Sequence, residues 1–257
     1  MLDKRNFYIN GKWVKPSKSN DFEVINPSNE EPFAIISLGS KEDTDAAVKA
    51  AKEAFVKWKE TSKEERINLL EKLLKIYKKR FNELADAQSM EMGAPIDYAI
   101  SAQTASGQSH LEDFILRLKN FKFEEHFDSK SNNHINYEPI GVCGFITPWN
   151  WPINQIALKV IPALATGCTM ILKPPEIASI SPMLYAEMID EAGFPKGVFN
   201  LVNGLYCQYH TYSIASSHYK IFIKISNFEG TDFIHEHINT IFMLLRHFIN
   251  DAVIHHG

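Results

Sequence analysis

The sequence predicts an α/β protein in which amino-terminal helices and a projecting hairpin precede a parallel sheet. Three observations carry this. Residues 141–202 alternate strand–helix–strand–helix–strand, the order of a parallel sheet joined by crossover helices. Residues 40–118 place apolar side chains at helical spacing. Phe121 to Phe127 and Asn133 to Tyr137 flank the polar linker Asp128-Ser129-Lys130-Ser131-Asn132, which reads as a hairpin standing off the body at about residues 121–137.

Taken in order, Phe7-Tyr8-Ile9-Asn10-Gly11-Lys12-Trp13-Val14 sets aromatic and β-branched residues around Asn-Gly, a strong hairpin signal. Asn26-Pro27-Ser28 marks a turn, and Phe33 to Leu38 reads as a strand. Ser40 caps a helix with Asp43 near its start, and Ala46, Ala47, Ala50, Ala51, Ala54 and Phe55 form its apolar face. A second helix starts near Ser62, with Glu65 completing a capping box and a stripe from Ile67 through Leu70, Leu73, Leu74 and Tyr77 to Phe81. Gly93-Ala94-Pro95 closes it, and a third helix spans Ile96 to Leu118. Beyond Pro139, the strands are Gly141 to Ile146, Cys168 to Leu172 and Val198 to Val202. The helices between them are Gln155 to Thr166 and Pro182 to Ala192.

With 257 residues, 45% of them hydrophobic, the chain can bury a core of one or two domains. A formal net charge of −4 gives no electrostatic basis for binding nucleic acid, and the lysines of Lys72 to Arg80 read as a solvated helix face. Cys143, Cys168 and Cys207 make no full disulfide set and lack zinc-ligand spacing, which favours a reducing compartment. The first residues have no apolar segment of the kind a signal peptide needs. Ile238 to Leu245 falls short of the roughly 20 apolar residues of a membrane span. The expectation is a cytoplasmic protein with no membrane partner.

Ligands of parallel α/β units bind at the carboxyl ends of the strands. Two such ends stand out. Ile146-Thr147-Pro148-Trp149-Asn150-Trp151-Pro152 is a loop stiffened by two prolines, carrying an amide that can donate to a developing oxyanion; on its own it reads more readily as a rigid packed turn. Leu172-Lys173-Pro174-Pro175-Glu176 places a donor and an acceptor three residues apart, suited to ribose hydroxyls and a nearby phosphate, or to a mere surface ion pair. No G-x-G-x-x-G occurs.

Together, Tyr137 through Pro152, Asn154 to Lys159, Pro162 to Cys168, Lys173-Pro174-Pro175-Glu176 and Gly197 to Gly204 resemble the aldehyde dehydrogenase superfamily; Tyr8 to Trp13 and Asn26-Pro27 resemble its opening. The resemblance covers about residues 5–204. It implies an incomplete Rossmann-like parallel sheet of the aldehyde dehydrogenase fold, with residues 1–204 the amino-terminal part of a cofactor-binding domain and 205–257 a diverged tail. It implies NAD(P)-dependent oxidation of a small aldehyde to a carboxylic acid. Asn150 takes the place of the family's oxyanion-hole asparagine, Ile146, Thr147, Pro148 and Trp149 the wall beside the cofactor, and Lys173 and Glu176 the grip on the adenosine ribose. The glutamate's charge favours NAD without excluding NADP. The hairpin matches the family's oligomerisation arm, implying a homo-oligomer or pairing with a full-length paralogue.

After Gly204 the likeness fades. Ala215 to His218 and Ile225 to Thr231 are only faint echoes of the next family strand. The family's nucleophilic cysteine and general-base glutamate fall beyond Gly257, so the expected chain is truncated and inactive alone. Cys143 and Cys168 read as small core residues and Cys207 as inert. His235 and His237 lack the spacing of a helical zinc pair, and no metal is expected. The alternative is a non-catalytic binding or assembly module.

Overall fold

The computed structural model describes residues 1–126 and 134–205. The Asp128 to Asn132 linker, Cys207 and the expectations for the tail lie outside the described residues.

The chain opens with β1 (Leu2–Lys4), β2 (Phe7–Ile9), β3 (Lys12–Val14), β4 (Asp21–Asn26) and β5 (Glu31–Ser37). The turn joining β2 to β3 puts Asn10 at φ 54 and Gly11 at φ 70, the paired left-handed residues of a tight hairpin turn. Helices α1 (Lys41–Trp58) and α2 (Lys63–Lys79) follow. Both start on complete capping boxes, Ser40 with Asp43 and Ser62 with Glu65, as the sequence predicts.

The second predicted helix is two. It breaks at Arg80 (φ −100, ψ 17), and α3 (Phe81–Met92) continues at a new angle. The Arg80 guanidinium holds the corner, reaching Glu83 at 2.7 and 2.8 Å and Glu187 at 2.7 Å. The third is a continuous helical run with a wide centre: α4 (Ile96–Tyr98), a π-type stretch over Ala99–Thr104 and α5 (Ala105–Asn120). Tyr77 Oη donates to the Thr104 carbonyl at 2.8 Å and Gln88 Nε2 to its hydroxyl at 2.7 Å, occupying polar groups where the helix widens.

Next come the hairpin strands β6 (Glu124–His126) and β7 (His134–Asn136), then β8 (Val142–Ile146), α6 (Pro152–Ala165), β9 (Thr169–Lys173), α7 (Ile180–Ala192) and β10 (Phe199–Leu201). Strands β8, β9 and β10 are parallel, as the alternation requires. The structure adds what the sequence pattern does not show: the sheet continues as β3-β2-β10-β9-β8, with the β2–β3 hairpin antiparallel along the free edge of β10. Asn200 locks this junction. Its Oδ1 accepts from Asn10 N at 2.9 Å, while its Nδ2 donates to the carbonyls of Met170 and Gly197. A second sheet, β1-β5-β4, packs beside α3.

Alternation sorts the central sheet into two faces. Phe7, Ile9, Ile171 and Val202 meet Ala47, Ala50 and Ala51 of α1. Tyr8, Cys143, Phe145, Met170, Leu172 and Phe199 belong to the larger core with α6, α7, α2 and α5. Gly107 permits the close crossing of α5 over α6: a Cβ there would stand 2.5 Å from both Ile153 Cγ2 and Tyr77 Oη. Gly107→Ala is therefore expected to destabilise the chain by about 1–2 kcal/mol, read from the urea midpoint by circular dichroism. An unchanged midpoint would show that the crossing relaxes freely.

Candidate functional site

The site forms where β8 and β9 end side by side. Ile146 is in register with Lys173, and Thr147 N–H extends the pairing by donating to the Lys173 carbonyl at 3.2 Å. The two furnished loops of the sequence thus share one edge of the sheet, the carboxyl edge where ligands of parallel sheets bind.

After Ile146 the chain crosses Thr147, Pro148, Trp149 and Asn150 before turning into α6. Trp151 precedes that helix and Pro152 occupies its first turn, where a missing N–H costs nothing. Trp149 stands 53% exposed, leaving a flat apolar face for a planar ligand. Trp151 does not: its ring meets Tyr98 edge-on at 5.9 Å and fixes the loop to α4. From α5, the His110 ring shares a 2.6 Å hydrogen bond with Asn154 Oδ1 in the first turn of α6. Burial holds the His110 pKa below its ordinary value although the Asn154 bond opposes this, so the ring is neutral at pH 7.

Thr147 Oγ1 and Asn150 Oδ1 are buried without a hydrogen-bond partner among the described residues. Buried polar atoms are normally satisfied, so two orphans in one short loop mark a place shaped for a polar ligand.

On β9, Lys173 is only 2% exposed. Its Nζ donates to the Gly204 carbonyl at 2.7 Å and lies 3.6 Å from Glu176 Oε2, whose side chain stays partly open to solvent. The lysine is not a surface residue. It ties the segment after β10 to the edge of β9 and faces the carboxylate that starts the short turn Glu176–Ala178. Ile146, Thr147, Pro148, Trp149, Asn150, Lys173 and Glu176 therefore all lie on the two adjoining strand ends.

The cysteines lie elsewhere. Cys143 sits near the start of β8, and Cys168 precedes β9. Five residues separate Cys168 from Lys173, about 16 Å along an extended strand, so neither described thiol belongs to this edge. Among the described residues, no group of three or more His, Cys, Asp or Glu is placed to hold a metal, and no helix is long and apolar enough to cross a membrane.

Buried charges that sequence reasoning passed over include Lys159 and Glu91. Lys159, in the middle of the almost wholly buried α6, is 1% exposed. Glu91, on α3, is 5% exposed. For Lys159 the signal is a lone charge in an apolar run. For Glu91, on a helix with polar positions, no sequence signal exists.

The fold is α/β with the candidate site at the carboxyl edge of a mixed sheet, and comparison with known proteins narrows it. The family model described as "Aldehyde dehydrogenase family" matches residues 13–213. The chain is 49% identical over 205 residues to a 3-succinoylsemialdehyde-pyridine dehydrogenase from a Pseudomonas species, covering 79% of this chain and 42% of that protein. It is 41% identical over 204 residues to a putative aldehyde dehydrogenase of Staphylococcus aureus, with the same coverage. Among solved structures, an aldehyde dehydrogenase from Bartonella henselae superposes with a TM-score of 0.81 at 55% identity, over 82% of this chain and 45% of that one. An aldehyde dehydrogenase of Pseudomonas syringae, complexed with NAD+ and octanal, superposes with a TM-score of 0.75 at 42% identity, over 78% of this chain and 41% of that one. The chain belongs to the aldehyde dehydrogenase family. It spans about two fifths of the length of the curated relatives it matches.

Proposed function

We propose that this chain carries the adenosine-ribose grip and the oxyanion-binding amide of an NAD(P)-dependent aldehyde dehydrogenase. The observation that supports this reading is the adjacency of the two strand ends, which sets Asn150 and the Lys173–Glu176 pair on one sheet edge.

The residues fit such a cofactor. Glu176 offers a carboxylate that accepts from ribose hydroxyls, and Lys173 a positive charge beside it. The orphaned Thr147 Oγ1 and the exposed face of Trp149 offer a polar atom and a flat surface next to them. The Glu176 charge repels a 2′-phosphate, which favours NAD over NADP. A bound nicotinamide supplies the hydride acceptor for aldehyde oxidation. Asn150, held in a loop fixed by Trp151 and by the His110–Asn154 bond, donates its amide to the carbonyl oxygen as negative charge develops there. No described cysteine stands near that oxygen, so the attacking thiol is assigned to none of them.

NAD+ is expected to bind too weakly for calorimetry. Saturation-transfer NMR at millimolar NAD+ is expected to show contact at the adenosine ribose, lost in Glu176→Ala. Contact that survives this substitution would remove the ribose grip from Glu176.

A second reading is an assembly module that joins a full-length paralogue. It rests on the β6–β7 hairpin, which forms a two-stranded sheet of its own with exposed outer strands. Co-expression with a full-length family member and size-exclusion chromatography test it, and separate elution of the two chains counts against it.

A further inference from the structure

The turn that carries Glu176 is closed by a serine whose hydroxyl faces away from the helix it begins. Ser179 stands at the cap position of α7, where a serine ordinarily accepts from the first N–H groups of its helix. Its hydroxyl turns backwards instead, shared between the Pro175 carbonyl at 2.8 Å and the Glu176 carbonyl at 3.0 Å. Ala178 N–H adds a bond to the Pro175 carbonyl at 3.2 Å. The Ser179 backbone is itself helical (φ −100, ψ −17), so the turn runs directly into α7.

The start of α7 must then be satisfied from elsewhere. The Glu91 carboxylate takes both the Ile180 and the Ser181 N–H, arriving from α3, 89 residues before Ile180. Pro182 has no N–H, and Met183 N–H makes the first regular bond, to the Ser179 carbonyl at 3.1 Å. Glu91 supplies the cap that Ser179 gives up. Glu91, Ser179 and Ser181 are all buried. Burying a carboxylate is costly, and a helix capped by its own serine would not need one. The gain lies one step away, at the site. The Glu176 carboxylate stands 3.6 Å from Lys173 Nζ, long for a hydrogen bond, so the backbone of the turn sets where it points.

We propose that Glu91 is a positioning residue for the cofactor's adenosine ribose: by capping α7 from outside, it frees the Ser179 hydroxyl to fix the turn that aims Glu176. This role rests on the ribose grip assigned to Glu176 above. Without Glu91, Ser179 is the side chain placed to cap Ser181 N–H, and turning forward to do so releases the Pro175 and Glu176 carbonyls. A loosened Glu176 accepts less well from the ribose hydroxyls and repels a 2′-phosphate less.

Saturation-transfer titrations of the full chain with NAD+ and with NADP+ test this, each variant's fold being checked by circular dichroism. In Glu91→Ala and in Ser179→Ala the dissociation constant for NAD+ is expected to rise about fivefold, and that for NADP+ not to rise. Glu91→Gln, which keeps an acceptor oxygen at the same reach, is expected to retain the values of the unmodified chain. Should Glu91→Ala not fold, Glu91→Asp, one methylene shorter, decides in its place. Unchanged NAD+ affinity in the folded variants, or an equal loss for both dinucleotides, overturns the proposal. Hydrogen exchange separates this role from the ribose grip: the Ala178 amide is expected to exchange about tenfold faster in Ser179→Ala and Glu91→Ala. Absent ribose contact in the unmodified chain removes the Glu176 grip and this role with it. Intact ribose contact with unchanged Ala178 exchange in the variants overturns the Glu91 role alone.

Discussion

Replacing Glu91 by alanine is expected to cost about 3 kcal/mol of folding stability. The side chain leaves α3 and caps the start of α7 from outside. Its carboxylate accepts from Ile180 N at 2.7 Å, from Ser181 N at 3.3 Å and from the Ser181 hydroxyl. Ser179, at the cap position of α7, makes no side-chain cap of its own. Alanine would strand two buried backbone N–H donors at a helix end, remove the partner of the Ser181 hydroxyl and leave a cavity, and each orphaned donor costs about 1–3 kcal/mol. Urea unfolding of the two chains at one pH measures the difference. A loss below about 1 kcal/mol would mean that water replaces the carboxylate.

Glu91 also makes stability depend on pH. Burial raises its pKa from the ordinary 4.5 to about 7, against the hydrogen bonds from Ser181 and Ile180, which lower it. The folded chain therefore holds this proton more tightly than the unfolded chain. The stabilisation is full below about pH 4.5 and is lost as pH rises through 7, amounting to on the order of 3 kcal/mol. Glu91→Gln is expected to flatten that part of the stability profile.

Lys159→Met is expected to act in the other direction, raising stability at pH 7 by on the order of 2 kcal/mol. The lysine donates to the Gln155 carbonyl at 3.1 Å and to Gln155 Oε1 at 2.9 Å, and no carboxylate pairs with it among the described residues. Burial alone lowers its pKa from 10.5 to about 8. The unfolded chain thus binds this proton more tightly, and stability should rise as pH climbs from about 8 to 10.5. Methionine fills similar space without the charge and should remove that rise. Lower stability of Lys159→Met at pH 7 would show that the ammonium is held by more than Gln155. Both profiles follow from denaturation midpoints across pH.

The local features of the fold were legible in the sequence because local chemistry sets them. Asn10-Gly11 fixes a turn, the Ser40 and Ser62 boxes fix helix starts, and the apolar runs after Pro139 alternate as strands and helices must. The corner at Arg80 was not legible. Lys79-Arg80-Phe81 contains no glycine or proline, the apolar stripe runs through it, and the bend is held by Glu187, 107 residues away. Strands β1 and β4 lie in polar, irregular stretches and take their pairing from β5. The candidate site was legible as two suspicious loops, since prolines, tryptophans and a Lys–Glu spacing are visible in one dimension. Their adjacency depends on strand register, which the sequence does not carry. Glu91 and Lys159 escaped because a charge on a helix ordinarily faces water, and only the packing of α7 and α6 shows that these do not.

The docking of the β2–β3 hairpin on β10 bears on how the protein is made. Asn10 meets Asn200, 190 residues further along, and Tyr8 pairs with Leu201. A ribosome adding about 5–20 residues per second needs roughly 10–40 s to deliver that strand after the hairpin has been synthesised. Throughout that interval the apolar Phe7, Tyr8 and Ile9 have no sheet to join, although all three are buried in the finished protein. The first strands of the central sheet to be synthesised are therefore among the last to find their place, and the nascent chain must keep them from other partners until then.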